Sequence, residues 1–227
     1  MSHNKLAVIG GMGEGLGSAL AHYFRDKGYQ VIGLNRSLNN HVGKEIIQLK
    51  VDLSDQGQVR QALEEINLTH RVPDVFIHNA AELVIAPFDQ TSVEQFEQCW
   101  RAVTLSAFVL SKELLPMMAE KGGSAIFTGA TASIRGGDQF SAFSSAKFAL
   151  RGLVQSLARQ YQSSGLHVVH VLIDGIIDTE RSRKLFSLPV ENMLNPQGIA
   201  ECYWQLTQQP KSTWTHELDL RPYLEKF

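Results

Sequence analysis

Seven short apolar runs punctuate this chain, at residues 5–10, 30–35, 46–53, 73–79, 123–129, 167–174 and 215–220. Runs such as KLAVIG, PDVFIHN and HVVHVLID do not alternate apolar with polar residues, as expected of strands covered on both faces. Between most of them lie stretches that are apolar at helical spacing, at 15–28, 56–66, 92–121, 142–162 and 196–208. Strand–helix alternation of this kind constrains the chain to an open parallel sheet wound by right-handed crossovers, with helices on both faces. One connection departs from the rule. Between the second and third strands lies only RSLNNHVGKE, too short and too rich in Asn and Gly for a crossover helix. That helix is expected to be missing or reduced to a turn, leaving one face thinly covered.

At 227 residues the chain is long enough for one domain, 1–227, with a sizeable core. Its net charge of −2 gives no electrostatic case for nucleic acid. The two cysteines, Cys99 and Cys202, have neither the spacing nor the partners of a metal site. The N-terminal apolar run is too short for a signal peptide or a membrane span, so a soluble, cytoplasmic protein is expected.

KLAVIG leads directly into GMGEGLGSALAHYF. Gly11, Gly15 and Gly17 form G-x-x-x-G-x-G, with further glycines at 10 and 13 and with Leu16 inside the motif. A strand-to-helix turn of this composition lets the backbone approach a pyrophosphate closely and aims a helix N-terminus at it. The second strand ends in Asn35-Arg36, where an acid would hold the adenosine ribose hydroxyls of NAD(H). No acid is there. Asn35 can donate to a phosphate, and Arg36 can stack on adenine, pair with a 2′-phosphate, or simply be solvated. NADP(H) is therefore favoured over NAD(H), although Glu14 in the turn sets a negative charge nearby.

Together with VDLSD at 51–55, HNAA at 78–81, GSAIF at 123–127, the lysine of SAKFAL and DGIIDT at 174–179, this turn makes the chain resemble the short-chain dehydrogenase/reductase family. The resemblance runs along nearly the whole length. It implies a three-layer Rossmann fold with a doubly wound, seven-stranded parallel sheet and a homodimer or homotetramer assembled through the helices near 92–120 and 141–162. It also implies that Asp52 and Leu53 lie along the adenine and that Asn79 and Ala80 end the fourth strand behind the cofactor. Asp174 and Gly175 would lie near the nicotinamide, and Thr179 would touch its carboxamide. Asp52 could instead cap a helix, and Asn79 could simply satisfy a strand end.

Family catalysis uses a tyrosine one helical turn before the lysine, a serine ahead of it and an asparagine in the long preceding helix. Here Phe143, Ala130 and Thr104 occupy those positions, and only Lys147 is retained. In the family this lysine binds the nicotinamide ribose and lowers the tyrosine pKa. Beside Phe143 only the ribose task can survive. Thr131, Ser133, Ser144 and Ser145 are neighbouring hydroxyls, better suited to packing than to acid catalysis. Asp174 stands where the family commonly has proline. It could favour an oxidised ring, donate a hydrogen bond if protonated, or cap the short helix after the sixth strand.

The segment 180–196 occupies the family's substrate-lid position. Its Arg181, Arg183 and Lys184 could meet an acidic substrate or form a solvated face. Phe140, Phe143 and Ile134 suggest an apolar cleft. Three functions remain open: an oxidoreductase acting on a small carbonyl or alcohol through a degenerate site, a non-catalytic NADP(H)-binding redox sensor or partner subunit, and a purely structural protein.

Overall fold

In the computed structural model, residues 5–40, 42–66 and 71–224 are described. The strands are β1 Lys5–Gly10, β2 Tyr29–Asn35, β3 Ile47–Lys50, β4 Val75–His78, β5 Gly123–Thr128, β6 Leu166–Ile173 and β7 Glu217–Leu220. All seven runs seen in the sequence become strands, and they form one sheet in the order β3-β2-β1-β4-β5-β6-β7. Every pairing is parallel. The chain enters at β1, winds outward to β3, then crosses back to β4, so the winding reverses between β1 and β4. In open α/β sheets, ligands bind outside the carboxyl ends of strands at such a reversal.

The helices are α1 Leu16–Asp26, α2 Gln56–Glu65, α3 Val93–Trp100, α4 Ser106–Lys121, α5 Ser141–Tyr161, α6 Glu180–Leu185 and α7 Pro196–Thr207. The period-two alternation of each strand divides the core in two. Leu6 and Val8 of β1 turn towards Leu110, Leu114, Leu150 and Val154 of α4 and α5. Ala7 and Ile9 turn the other way, towards Phe24 of α1 and Tyr203 of α7. This is the three-layer Rossmann arrangement.

Local chemistry sets the helix starts. Asp55 caps α2 by accepting from the Gln58 amide. Ser92 and Gln95 form a reciprocal capping box at α3. Asn195 caps α7 ahead of Pro196. Asp52 caps no helix: its Oδ1 accepts from the Ser54 amide at 2.9 Å and hydroxyl at 2.8 Å. This local turn helps end β3 at Lys50, before the predicted Leu53. Its partner ends too, since Asn35 of β2 pairs with Lys50. Helices α3 and α4 join through a π-helical turn, Arg101–Leu105. The combined helix, Val93–Lys121, is long and apolar enough to cross a membrane by length and composition. Its Cys99, Val103, Leu110 and Leu114 instead pack into the core.

No helix links β2 to β3 among the described residues. The thin cover expected from that gap is supplied by the loop itself, because Val42 and Ile46 turn inward and are 7% and 4% exposed. Met12 adds to the cover. A Cβ at Gly33 of β2 would lie 2.3 Å from its Cε.

Candidate active site

The carboxyl ends of β1, β2 and β4, the start of α1 and the segment entering α6 enclose a cleft of about 910 Å³. The glycine turn forms its floor, and three of its glycines are needed for distinct reasons. Gly11 has φ +87°, and a Cβ there would lie 2.4 Å from the Ala80 amide nitrogen. Gly15 has φ +94°, and its Cβ would meet Thr179 Cγ2 at 2.6 Å. A Cβ on Gly17 would fall 2.7 Å from Met12 Cα. Gly13 borders the cleft, and among the described residues nothing lies within 4 Å of its Cβ position. Gly15 is also the N-cap of α1, and among the described residues no side chain caps that end. The turn therefore joins close backbone packing to a helix start open to an anion.

Asn79 fixes the turn from behind. Its amide donates to Gly10 O at 2.7 Å, and its side chain donates to Gly11 O at 3.0 Å. Ala80 follows along the wall. Across the cleft stand Asn35, Arg36, Asp52 and Leu53, with Leu16 at the base of α1. Asn35 is 7% exposed, and among the described residues neither Nδ2 nor Oδ1 has a hydrogen-bond partner. A buried amide left unpaired is unfavourable unless a ligand satisfies it. Together with the glycine cradle, this fits a nucleotide laid across the strand ends. Arg36 is exposed yet paired. Its Nη2 lies 2.7 Å from Glu82 Oε2, a partner 46 residues away that local pattern could not reveal.

Thr179 lines the cleft and caps α6, accepting from the Ser182 amide at 3.0 Å. The suggestion that Asp174 caps this helix is thereby corrected. Of the three cations at the start of the segment 180–196, Arg183 is paired with Asp178 and Lys184 with Glu180, whereas Arg181 lines the cleft.

Lys147 of α5 is 3% exposed and does not line the cleft. Its Nζ donates to Thr128 O at 2.7 Å and lies 5.6 Å from the centroid of the Phe143 ring. Burial pushes the ammonium down to about 8. Thr104, in the π turn, donates from its hydroxyl to Ala146 O at 2.8 Å. Ala130 follows β5 in extended conformation, and its amide donates to Ser133 Oγ at 3.1 Å. Asp174 accepts from the Thr131 hydroxyl at 2.6 Å and pairs with Arg221 at 3.3 Å. Gly175 adjoins the C-terminal segment rather than the cleft: with φ +144°, its Cβ would meet Pro222 Cδ at 2.9 Å.

Two buried histidines behind the site had no signal in the sequence beyond their strand positions. His78 ends β4 and meets Ser106 Oγ at 2.8 Å; Ser106 in turn donates to Ala102 O at 2.6 Å. Desolvation first, and the charge of Lys147 second, push His78 down to about 3. His170 of β6 meets Glu217 at 2.9 Å, and Glu217 is held by Arg151. Desolvation outweighs that carboxylate and leaves His170 at about 4.

Fold and cleft together define a doubly wound α/β protein with a nucleotide-type site at its winding reversal. Comparison gives the family. A model of the short-chain dehydrogenases matches residues 5–188, and the chain belongs to that family of oxidoreductases. An uncharacterised oxidoreductase of Bacillus subtilis, YuxG, is 27% identical over 186 residues, which is 76% of this chain but only 27% of YuxG. A short-chain dehydrogenase from Rhodopseudomonas palustris is 30% identical with TM-score 0.80, over 97% of this chain and 100% of that one. An alcohol dehydrogenase from Thermococcus sibiricus, solved with 5-hydroxy-NADP, has TM-score 0.86 at 24% identity and 98% coverage of both chains.

Proposed function

We propose that this chain is a nicotinamide-dinucleotide-dependent oxidoreductase whose active site has lost its usual proton-transfer groups, with a small carbonyl or alcohol as substrate. The observation that carries the reading is the glycine turn with the orphaned amide of Asn35 beside it, which together form a cradle with an unsatisfied recognition group. Gly11, Gly15 and Gly17 would admit the pyrophosphate, with the start of α1 aligned to its charge. Asn35 and Arg36 would hold the adenosine end, with Asp52, Leu53, Asn79 and Ala80 as its walls. Thr179 would hold the carboxamide end, and Lys147, which donates to Thr128 O and does not line the cleft, would reach the nicotinamide ribose only on releasing that carbonyl. NADP(H) is favoured over NAD(H) by Arg36 and by the lack of an acid at the end of β2.

The cofactor supplies hydride transfer when bound. The protein's part is placement, exclusion of water and delivery of a proton, and the last of these is impaired. Phe143 has no proton to give, and Ala130 has no hydroxyl to hold a substrate oxygen. General acid–base catalysis contributes roughly 10²–10⁴ in rate, so turnover is expected to be slow rather than absent. The alternative, a non-catalytic NADP(H)-binding sensor or partner subunit, rests on Phe143 and Ala130 alone and is not favoured by relatives named as oxidoreductases and dehydrogenases. Assembly as a homodimer or homotetramer is supported by Phe108 of α4 and Phe148 of α5, both about half exposed.

Titration with NADPH and NADH, followed by nucleotide fluorescence and tryptophan quenching, tests the reading. Trp100 is adjacent to Arg101 of the cleft wall. Micromolar binding weakened by Lys147→Ala, with slow reduction of a carbonyl panel, supports the oxidoreductase. Binding without turnover supports the sensor, and no binding of either nucleotide overturns both.

A further inference from the structure

We propose that Glu82 tunes the cofactor preference of this cleft by holding Arg36 in competition with a 2′-phosphate, an inference that rests on the dinucleotide reading above. Arg36 is the first residue beyond β2, and Glu82 follows β4 along the stretch Asn79–Ala81 that lines the cleft. Strands β2 and β4 lie on either side of β1. Their ends are therefore two strand spacings apart, roughly 10 Å. The two long side chains close that gap at 2.7 Å and form a strap across the end of β1, where the glycine turn begins.

The strap is built to exchange. The Arg36 side chain is 64% exposed and that of Glu82 35% exposed, so water and salt weaken their attraction. The pair is a single contact, Nη2 to Oε2, whereas a guanidinium can meet a phosphate dianion with two parallel hydrogen bonds and more charge. A ligand with a plain ribose leaves the strap intact and gains nothing from Arg36. A ligand with a 2′-phosphate must take Arg36 from Glu82 and also lies beside the displaced carboxylate. Arg36 alone would thus overstate the preference for NADP(H): Glu82 subtracts from it, and the native site discriminates only weakly. Glu14 and Asp52, also on the cleft wall, add negative charge that acts in the same direction.

The test measures binding, not activity. Affinities of NADPH, NADH, adenosine 2′,5′-bisphosphate and 5′-AMP are determined by calorimetry for the native chain, Glu82→Gln, Arg36→Gln and the double variant. Glu82→Gln should tighten NADPH and the bisphosphate about two- to five-fold, the range set by an exposed ion pair, and leave NADH and AMP unmoved. The gain should shrink or vanish in the Arg36→Gln background, since the competition is for that side chain. Equal shifts for phosphorylated and plain ligands overturn the proposal. So does a gain that persists undiminished without Arg36, which would mean simple repulsion. Either of those results leaves the cofactor reading standing. Failure of every nucleotide to bind the native chain removes that reading, and this inference with it.

Discussion

Lys147 keeps an ammonium in the core with a carbonyl, not a carboxylate, as its hydrogen-bond partner. Its folded pKa, about 8, lies below the ordinary 10.5, so between those values the folded form releases its proton first and stability rises with pH. Below about pH 8 the burial penalty is fully present. Lys147→Met should therefore raise Tm by about 2–4 °C at neutral pH, an advantage that fades as pH approaches 10. A lower Tm at neutral pH would mean that the bond to Thr128 outweighs the desolvation. Phe143 makes a complementary prediction. Combining Phe143→Tyr with Ala130→Ser should raise carbonyl turnover by about 10²-fold with nucleotide affinity unchanged. Unchanged turnover would mean that more than the proton donor is missing. Phe143 and Ala130 were legible as candidates because they sit in one short stretch of sequence. The partners of Arg36 and Asp174 were not, since Glu82, Thr131 and Arg221 reach them from distant segments that no local pattern connects.

At the scale of the element, the glycine turn separates glycines that the fold requires from one that it does not. Gly15→Ala places a side chain at φ +94° and drives it into Thr179, joining the turn's strain to a collision with the N-cap of α6. It should cost about 1–3 kcal/mol and abolish nucleotide binding. Gly13→Ala meets nothing and should leave stability within about 0.5 kcal/mol of the native chain, which paired chemical denaturation curves would check. Strand identities and most helix spans were visible in the apolar patterning. The end of β3 was not, because IIQLKVDL stays apolar past the point where β2 stops offering a partner. The π turn at Arg101–Leu105 left no trace either: an inserted residue per turn changes the hydrogen-bond ladder without changing the apolar character of the run.

Across the whole molecule, two uncharged histidines are built into the sheet on the face covered by α4 and α5. Both have folded pKa values depressed below 6.5, to about 3 for His78 and about 4 for His170. The unfolded chain therefore takes up protons that the folded one refuses, and stability falls as pH drops from about 6.5 towards 4. Urea midpoints across that window should decline, and His78→Phe should flatten the decline by close to one proton. An unchanged slope in that variant would show that His78 accepts its proton while folded. Symmetry of covering is a second whole-molecule property, and the β2–β3 connection breaks it. Val42 and Ile46 replace a helix, but two side chains carry little cooperativity, and β3 has only four residues and a single neighbouring strand. That corner should open by local fluctuation well before the sheet does, so its amides should exchange with deuterium first. The same corner carries one wall of the cleft. Ligand occupancy should then register less as a change of shape than as a slowing of exchange along β3, with the protein holding its most labile edge closed only while it is loaded.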